Sequence, residues 1–139
     1  MKIVICLLSF IFFNCQSMPP FKIKASMEIP HTSEALYAQI DEKNIGSISY
    51  KRYPESSDIY IKVISVEPEY RNSGVATVLM NLALCRIKSF NVSTVWLRAL
   101  PLDNKTELNR LVNFYEKFDF LCVEKIESSS TSVLMKKKL

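Results

Sequence analysis

The stretch Val66-Glu67-Pro68-Glu69-Tyr70-Arg71-Asn72-Ser73-Gly74-Val75-Ala76 joins a run rich in Ile, Val and Tyr to an almost wholly apolar segment. The chain has two glycines in 139 residues, and Gly74 is one of them. A glycine kept in so glycine-poor a chain is expected where a Cβ does not fit. A strand end, then Arg-x-x-Gly-x-Ala, then a helix start describes an anion cradle. Backbone N–H groups face outward there and the helix dipole favours negative charge. The alternative is an ordinary strand–loop–helix turn, since short glycine motifs recur by chance.

Upstream of this turn the chain reads as strands. Phe21 to Ile29 alternates, Pro30-His31-Thr32-Ser33 is a break, and Glu34 to Asp41 alternates again with Leu36, Ala38 and Ile40 on one face. Glu42-Lys43-Asn44 is a tight connection into a returning strand, Ile45 to Tyr53. After the turn at Pro54-Glu55-Ser56-Ser57, Asp58 to Val66 is apolar on both faces and is expected to be a central strand. Four strands with short links make an antiparallel meander.

Downstream, Gly74 to Phe90 is expected to be a mostly buried helix, with Thr77, Asn81 and Lys88 on its polar stripe. Arg86 interrupts the buried side near the end, where a long side chain can snorkel outward. Thr94 to Leu100 is a fifth strand and carries the only tryptophan, Trp96. Asn104 with Glu107 three residues on resembles a capping box, and the helix that follows sets Leu108, Leu111, Val112, Tyr115 and Phe118 on one face. Leu121 to Ile126 and Thr131 to Lys137 close the chain as two strands. The strand–helix–strand step from Asp58 to Leu100 needs a parallel crossover, so the sheet is mixed. Ligands in such sheets bind at the carboxyl ends of strands where the order changes, and the Arg71–Ala76 turn lies at such an end.

Composition sets outer limits. With 48% apolar and 23% charged residues, this is a single folded domain, with no internal repeat and no linker. The net charge of +4 is mild, three of the lysines are Lys136, Lys137 and Lys138, and the absence of a basic stripe argues against nucleic acid as partner. The cysteines are Cys6, Cys15, Cys85 and Cys122, the one histidine is His31, and no spacing suggests a metal site. Cys85 and Cys122 are expected to be buried small apolar residues.

Residues 1–17 stand apart from the domain at 18–139. Met1-Lys2, an apolar run from Ile3 to Phe13 and then Asn14-Cys15-Gln16-Ser17 read as a secretory signal, too short for an ordinary membrane span. Cys15 resembles a lipidated lipoprotein cysteine, although Phe13-Asn14 stand where small residues are usual. This favours export or membrane tethering; the alternatives are a buried first element of a cytoplasmic protein or a wrongly chosen start.

Three stretches in register resemble the GNAT superfamily of acetyl-CoA-dependent N-acetyltransferases. Val66 to Ala76 is similar to the family's Gln/Arg-x-x-Gly-x-Gly/Ala loop and its lead-in. Leu111-Val112-Asn113-Phe114-Tyr115-Glu116-Lys117-Phe118-Asp119-Phe120 is similar to its second helix, and Val133 to Leu139 to many family C-termini. The resemblance implies an α/β (α+β) fold with a mixed, mostly antiparallel sheet of about seven strands and two main helices. It departs from the family in three places, one being that the asparagine common near the start of the second helix would fall at Leu108, with Asn109 one place out. Only a short break separates the first two strands, where one or two helices usually form a wall of the substrate site, and Asp119 stands in place of a glycine.

The resemblance also implies roles. Backbone N–H groups of Arg71, Asn72, Ser73, Gly74, Val75 and Ala76 would hold the CoA pyrophosphate, and Ile64, Ser65 and Val66 would line the pantetheine and steady the oxyanion. Tyr115 occupies the general-acid position, although it also reads as a core aromatic of its helix face. Relatives that place a glutamate base on the fourth strand have Tyr60 as its counterpart here, with Lys62 nearby, and His31 is a loop histidine in the shortened region. The expected function is transfer of an acetyl group from acetyl-CoA, a co-substrate, to a peptide, protein or small-molecule amine, without a metal. The alternative is a non-catalytic acyl-CoA-binding or interaction module. The acceptor and oligomeric state are left open.

Overall fold

The computed structural model describes residues 20–28, 33–53, 55–103 and 106–139. The run at 1–17, His31 and Asn104 lie outside the described residues. Along the chain come β1 (Lys22–Glu28), β2 (Ser33–Ile40), β3 (Lys43–Arg52), β4 (Asp58–Val66), a 3-10 turn (Pro68–Tyr70), α1 (Val75–Lys88), β5 (Thr94–Ala99), α2 (Leu108–Glu116), β6 (Leu121–Cys122) and β7 (Val133–Lys138). The strands form one seven-stranded sheet in the order β1-β2-β3-β4-β5-β7-β6. β4 and β5 pair in parallel and every other pair is antiparallel. This is the expected mixed sheet, with α1 as the crossover.

The register sorts the sheet into two faces. Leu36 faces Ile48, Tyr50 faces Ile61, Ile61 faces Leu97, Leu97 faces Met135 and Ala99 faces Val133, all of them buried. On this face Val75, Leu79, Met80, Ala83 and Ile87 of α1 and Val112 and Tyr115 of α2 complete one core. Burial of each large aliphatic side chain contributes about 1.5–3 kcal/mol. No helix among the described residues packs on the opposite face. β1 ends at Glu28 and β2 begins at Ser33, paired with it, so only residues 29–32 lie between them, too few for the helices expected in a longer relative.

Local chemistry explains the turns. Asp41 and Glu42 both take positive φ, 47° and 67°, the backbone of a tight two-residue hairpin. Asp119 takes φ 63° just after α2, and its carboxylate meets Lys137 Nζ at 3.1 Å. An aspartate therefore fills the left-handed position that a glycine would take.

Several expectations are corrected. Arg86 does not snorkel to water: it forms an ion pair with Glu34, which is 5% exposed. A carboxylate is tolerated there because partners replace water; Tyr50 Oη also donates to Glu34 Oε2 at 2.7 Å. Burial, and then the bond to Glu34, push the Tyr50 phenol pKa well up. Cys85 is exposed rather than buried, because it falls on the outer stripe of α1 with Thr77, Asn81 and Lys88; Cys122 is half-buried. α2 begins at Leu108 with Glu107 as its N-cap and no side-chain capping bond, so Glu107 does not act as the third helical residue of a capping box. The penultimate strand stops at Cys122, because Glu124 turns its carboxylate onto Leu134 N at 3.2 Å and Arg98 Nη2 at 3.4 Å.

Candidate functional site

β4 changes character half-way along. Asp58 to Ile61 pair with β5, Ile61 opposite Leu97, and there the pairing ends. On the β3 side, pairing continues to Val66, opposite Gly46. Tyr50 faces Ile61 and Ser49 faces Val63, so Lys62 is an extra, bulged residue at the point where β4 and β5 part. A bulge bends and twists its strand, and here the bend opens a wedge between the two parallel strands. The backbone groups of 62–66 that face the wedge have no strand partner there, which leaves donors and acceptors for a ligand.

The wedge leads into a cleft of about 310 Å³. Its walls are residues 61–66 of β4, Leu97 and Arg98 of β5, Leu100, Pro101, Leu102, Asp103 and Thr106 beyond β5, Leu111, Phe114 and Tyr115 of α2, and Arg71 and Ala76 at the head of α1. The second half of β4 was expected to be buried on both faces. Instead Lys62, Val63 and Ser65 are exposed; Val63 and Ser65, opposite Ser49 and Ser47, lie on the outer face of the sheet.

The Glu67–Gly74 turn is fixed from several sides. Glu67 N donates to Ile45 O at 2.9 Å, and Lys43 Nζ meets Glu69 at 3.1 Å. Tyr70 N reaches Glu67 O at 2.9 Å and Arg71 N reaches Pro68 O at 3.3 Å. Ser73 Oγ donates to Tyr70 O, and Arg110 Nη2 donates to Asn72 Oδ1 at 2.5 Å. Asn72 and Gly74 take φ 59° and 88°. The demand at Gly74 is thus conformational: a left-handed backbone costs an L side chain about 1–2 kcal/mol. At Gly46 an added Cβ would be crowded, meeting Ser65 O at 3.0 Å and Val75 Cγ1 at 3.1 Å.

The first helical bond of α1 runs from Val78 N to Gly74 O at 3.0 Å. The N–H groups of Gly74, Val75, Ala76 and Thr77 precede it and have no acceptor among the described residues. Four free donors at the positive end of a 14-residue helix, at the end of a cleft, fit a diphosphate. Arg71 bridges the two sides of the cleft. Its Nε donates to Val66 O at 3.0 Å, and its Nη1 donates to Asp103 Oδ2 at 2.5 Å. Asp103 Oδ1 in turn accepts from Thr106 N at 2.9 Å.

Of the residues singled out from sequence, Ile64, Ser65, Val66, Arg71, Ala76 and Tyr115 line one cleft. Asn72, Ser73 and Gly74 shape its end through the backbone, and the Val75 side chain is buried in the core, so Val75 can offer only its N–H. Tyr115 satisfies both readings of it. It is 5% exposed, its ring centroid lies 5.3 Å from Phe114 and 6.1 Å from Phe120, and it also reaches the cleft. Burial pushes its phenol pKa up to about 12. Tyr60 is on the outer face of the sheet, stacked at 6.3 Å on Trp96, and is not a cleft residue. Sequence reasoning missed Arg98 and Asp103. Asp103 carried no local signal, since its partner Arg71 is brought to it only by the crossover.

Comparison with known proteins agrees with this geometry. A family model described as the Acetyltransferase (GNAT) family matches residues 3–120. No curated protein matches the chain. Among solved structures, the PaiA N-acetyltransferase of Thermoplasma acidophilum in complex with coenzyme A is 20% identical, with a TM-score of 0.62 over 79% of this chain and 63% of that one. Ard1 of Thermoplasma volcanium is 22% identical, with a TM-score of 0.61 over 81% and 73%. Naa50 of Arabidopsis thaliana, in complex with the bisubstrate analogue CoA-Ac-MVNAL, is 20% identical, with a TM-score of 0.60 over 76% and 72%.

Proposed function

The chain belongs to the Acetyltransferase (GNAT) family, and from that premise we propose that it transfers an acetyl group from acetyl-CoA to an amine by direct attack. The observation that carries this reading is the parting of β4 from β5 at the Lys62 bulge, between the head of α1 and Tyr115. The free N–H groups at Gly74 to Thr77 suit the diphosphate of CoA, and the mostly apolar wedge suits its pantetheine arm. PaiA holds coenzyme A and Naa50 a CoA-peptide analogue, which supports acetyl-CoA as the co-substrate here.

The reaction asks little of side chains. The amine lone pair forms the C–N bond, the C–S bond breaks, and sulfur leaves with the electron pair. The proton that the nitrogen gives up passes, directly or through water, to the departing sulfur, so the step balances. An unpaired N–H of residues 62–66 is placed to stabilise the oxyanion; removing such a donor costs about 3–4 kcal/mol in other enzymes. Tyr115, with its pKa raised to about 12, serves the departing sulfur as a hydrogen-bond donor. A thiolate whose thiol has a pKa of about 8.5 is too weak a base to take the phenol's proton outright.

A non-catalytic acyl-CoA-binding module is the second reading. It is favoured because Asp103, the carboxylate among the described cleft residues, is engaged by Arg71 and so poorly placed as a base. Titration calorimetry with acetyl-CoA, on the full chain and on Gly74→Trp, tests the site: micromolar binding abolished by the substitution is expected. No binding by the folded protein overturns both readings. Tyr115→Phe separates them: an enzyme loses turnover about 100-fold with its acetyl-CoA affinity unchanged, whereas a binding module shows no turnover in either form.

A further inference from the structure

The face of the sheet on which no described helix packs carries a ladder of aromatic and cationic side chains. The Lys51 Nζ lies 5.0 Å from the Tyr53 ring centroid, Tyr53 meets Tyr60 edge-on at 5.6 Å, Tyr60 stacks on Trp96 at 6.3 Å, and Lys136 Nζ sits 5.7 Å from the Trp96 ring. The ladder therefore crosses the sheet from β3 to β7. Tyr53 and Tyr60 remain 44% and 40% exposed, so the rings form a flat apolar strip that water reaches.

The charge on this strip is one-sided. Among the described residues, Lys51, Arg98, Lys136 and Lys138 occupy it, with Lys62 exposed at the bulge beside the cleft, against Asp58 and Glu124. Glu124 is already bridged to Arg98 at 3.4 Å. Lys62 and Arg98 also line the cleft, one on each side of the wedge, so the cleft opens onto this strip between two cations. An amine approaching from this face passes them. A polycationic small amine is repelled, whereas carboxylates beside the amine are attracted.

We propose that this face is the acceptor-docking surface and that the acceptor is a polypeptide segment carrying acidic side chains next to the amine that is acetylated. This rests on the acetyl-transfer reading above. The exposed rings give a peptide a stacking surface, and the lysines give its carboxylates partners. A nucleic acid is the poorer fit, because a strong electrostatic footprint there needs more phosphate contacts than these cations supply.

The test uses the full chain and two fluorescent peptides with free N-termini, one with Asp and Glu at its second to fifth positions and one with Asn and Gln there. Affinity is read by anisotropy across a salt series, for the wild type and for the double variant K62E/K136E, with acetyl-CoA binding measured alongside. The acidic peptide is expected to bind about tenfold more tightly at low salt. That margin should shrink towards 0.5 M salt, and the double variant should invert it. The salt series needs no variant, so it decides even if K62E/K136E fails to fold. Equal binding of the two peptides, tighter binding of a polyamine, or tighter binding of a single-stranded oligonucleotide overturns the inference. If acetyl-CoA binds and the peptides are not distinguished, only the acceptor class falls. If the peptides are distinguished and acetyl-CoA does not bind, the acetyl-transfer reading falls, and the acceptor role with it.

Discussion

The two halves of β4 have nearly the same composition and opposite tasks. In Asp58–Ile61, Ile59 and Ile61 are 0% and 5% exposed and both strand edges are paired. In Lys62–Val66 the strand keeps β3, loses β5, and turns an edge towards the cleft. The difference comes from one extra residue at Lys62 and from the length of the crossover that returns as β5. A strand can thus be anchored by its first half and present the backbone of its second half to a ligand, without any change in hydrophobicity to mark the boundary.

This contrast can be broken at either half. Ile59→Ala is expected to lower unfolding free energy by about 3 kcal/mol, the usual loss for a fully buried aliphatic side chain, read by urea denaturation. A loss below about 1 kcal/mol would mean that the first half is not the anchor. Glu34→Ala, which strands Arg86 at the far end of α1, is expected to cost about 3 kcal/mol as well, with acetyl-CoA affinity of the folded protein unchanged, since this pair is remote from the cleft.

Gly46 joins the halves. Its missing Cβ lets Ser65 O approach, so Gly46→Ala should cost about 1–3 kcal/mol and also weaken acetyl-CoA binding by displacing the second half. Loss of stability with unchanged affinity would show that Ser65 and Val66 play no part in the site. Tyr115 gives a pH signature. Its phenol titrates near 10 when unfolded and at about 12 when folded. The folded state therefore holds its proton longer, and stability is full below pH 10 and falls as pH rises through about 12, by up to about 1.4 kcal/mol per pH unit. Tyr115→Phe should reduce that slope in denaturation measured at pH 9, 10 and 11, leaving the part that the raised Tyr50 phenol contributes. The smallest effect is expected for Val63→Ala in the second half, where 38% exposure leaves little burial to lose: under about 0.5 kcal/mol.

The sequence was legible where neighbours along the chain set the outcome. Alternation in Glu34 to Asp41 and the Ile, Val and Tyr run of Asp58 to Val66 located β2 and β4, and the Pro68–Gly74 punctuation located the turn before α1. It was illegible where the partner is distant. Arg86 reads as a snorkelling residue until β2 brings Glu34 beneath it, and Asp103 reads as a loop residue until Arg71 reaches it. The apolar character of Val63 to Val66 is that of a buried strand and equally that of a cleft wall, and only the register at Lys62 separates the two. Gly74 was the right glycine for the turn, where it takes a left-handed backbone, and Gly46, where a Cβ would crowd Ser65 O and Val75, was not singled out.

The most direct test of the split strand is amide hydrogen exchange on the full chain with and without acetyl-CoA. Added protection is expected at 62–66 and at 74–77, where unpaired N–H groups gain acceptors or cover, and none at Asp58–Ile61, whose amides are already bonded in the sheet. Added protection confined to Asp58–Ile61, or spread evenly over all seven strands, would contradict the split.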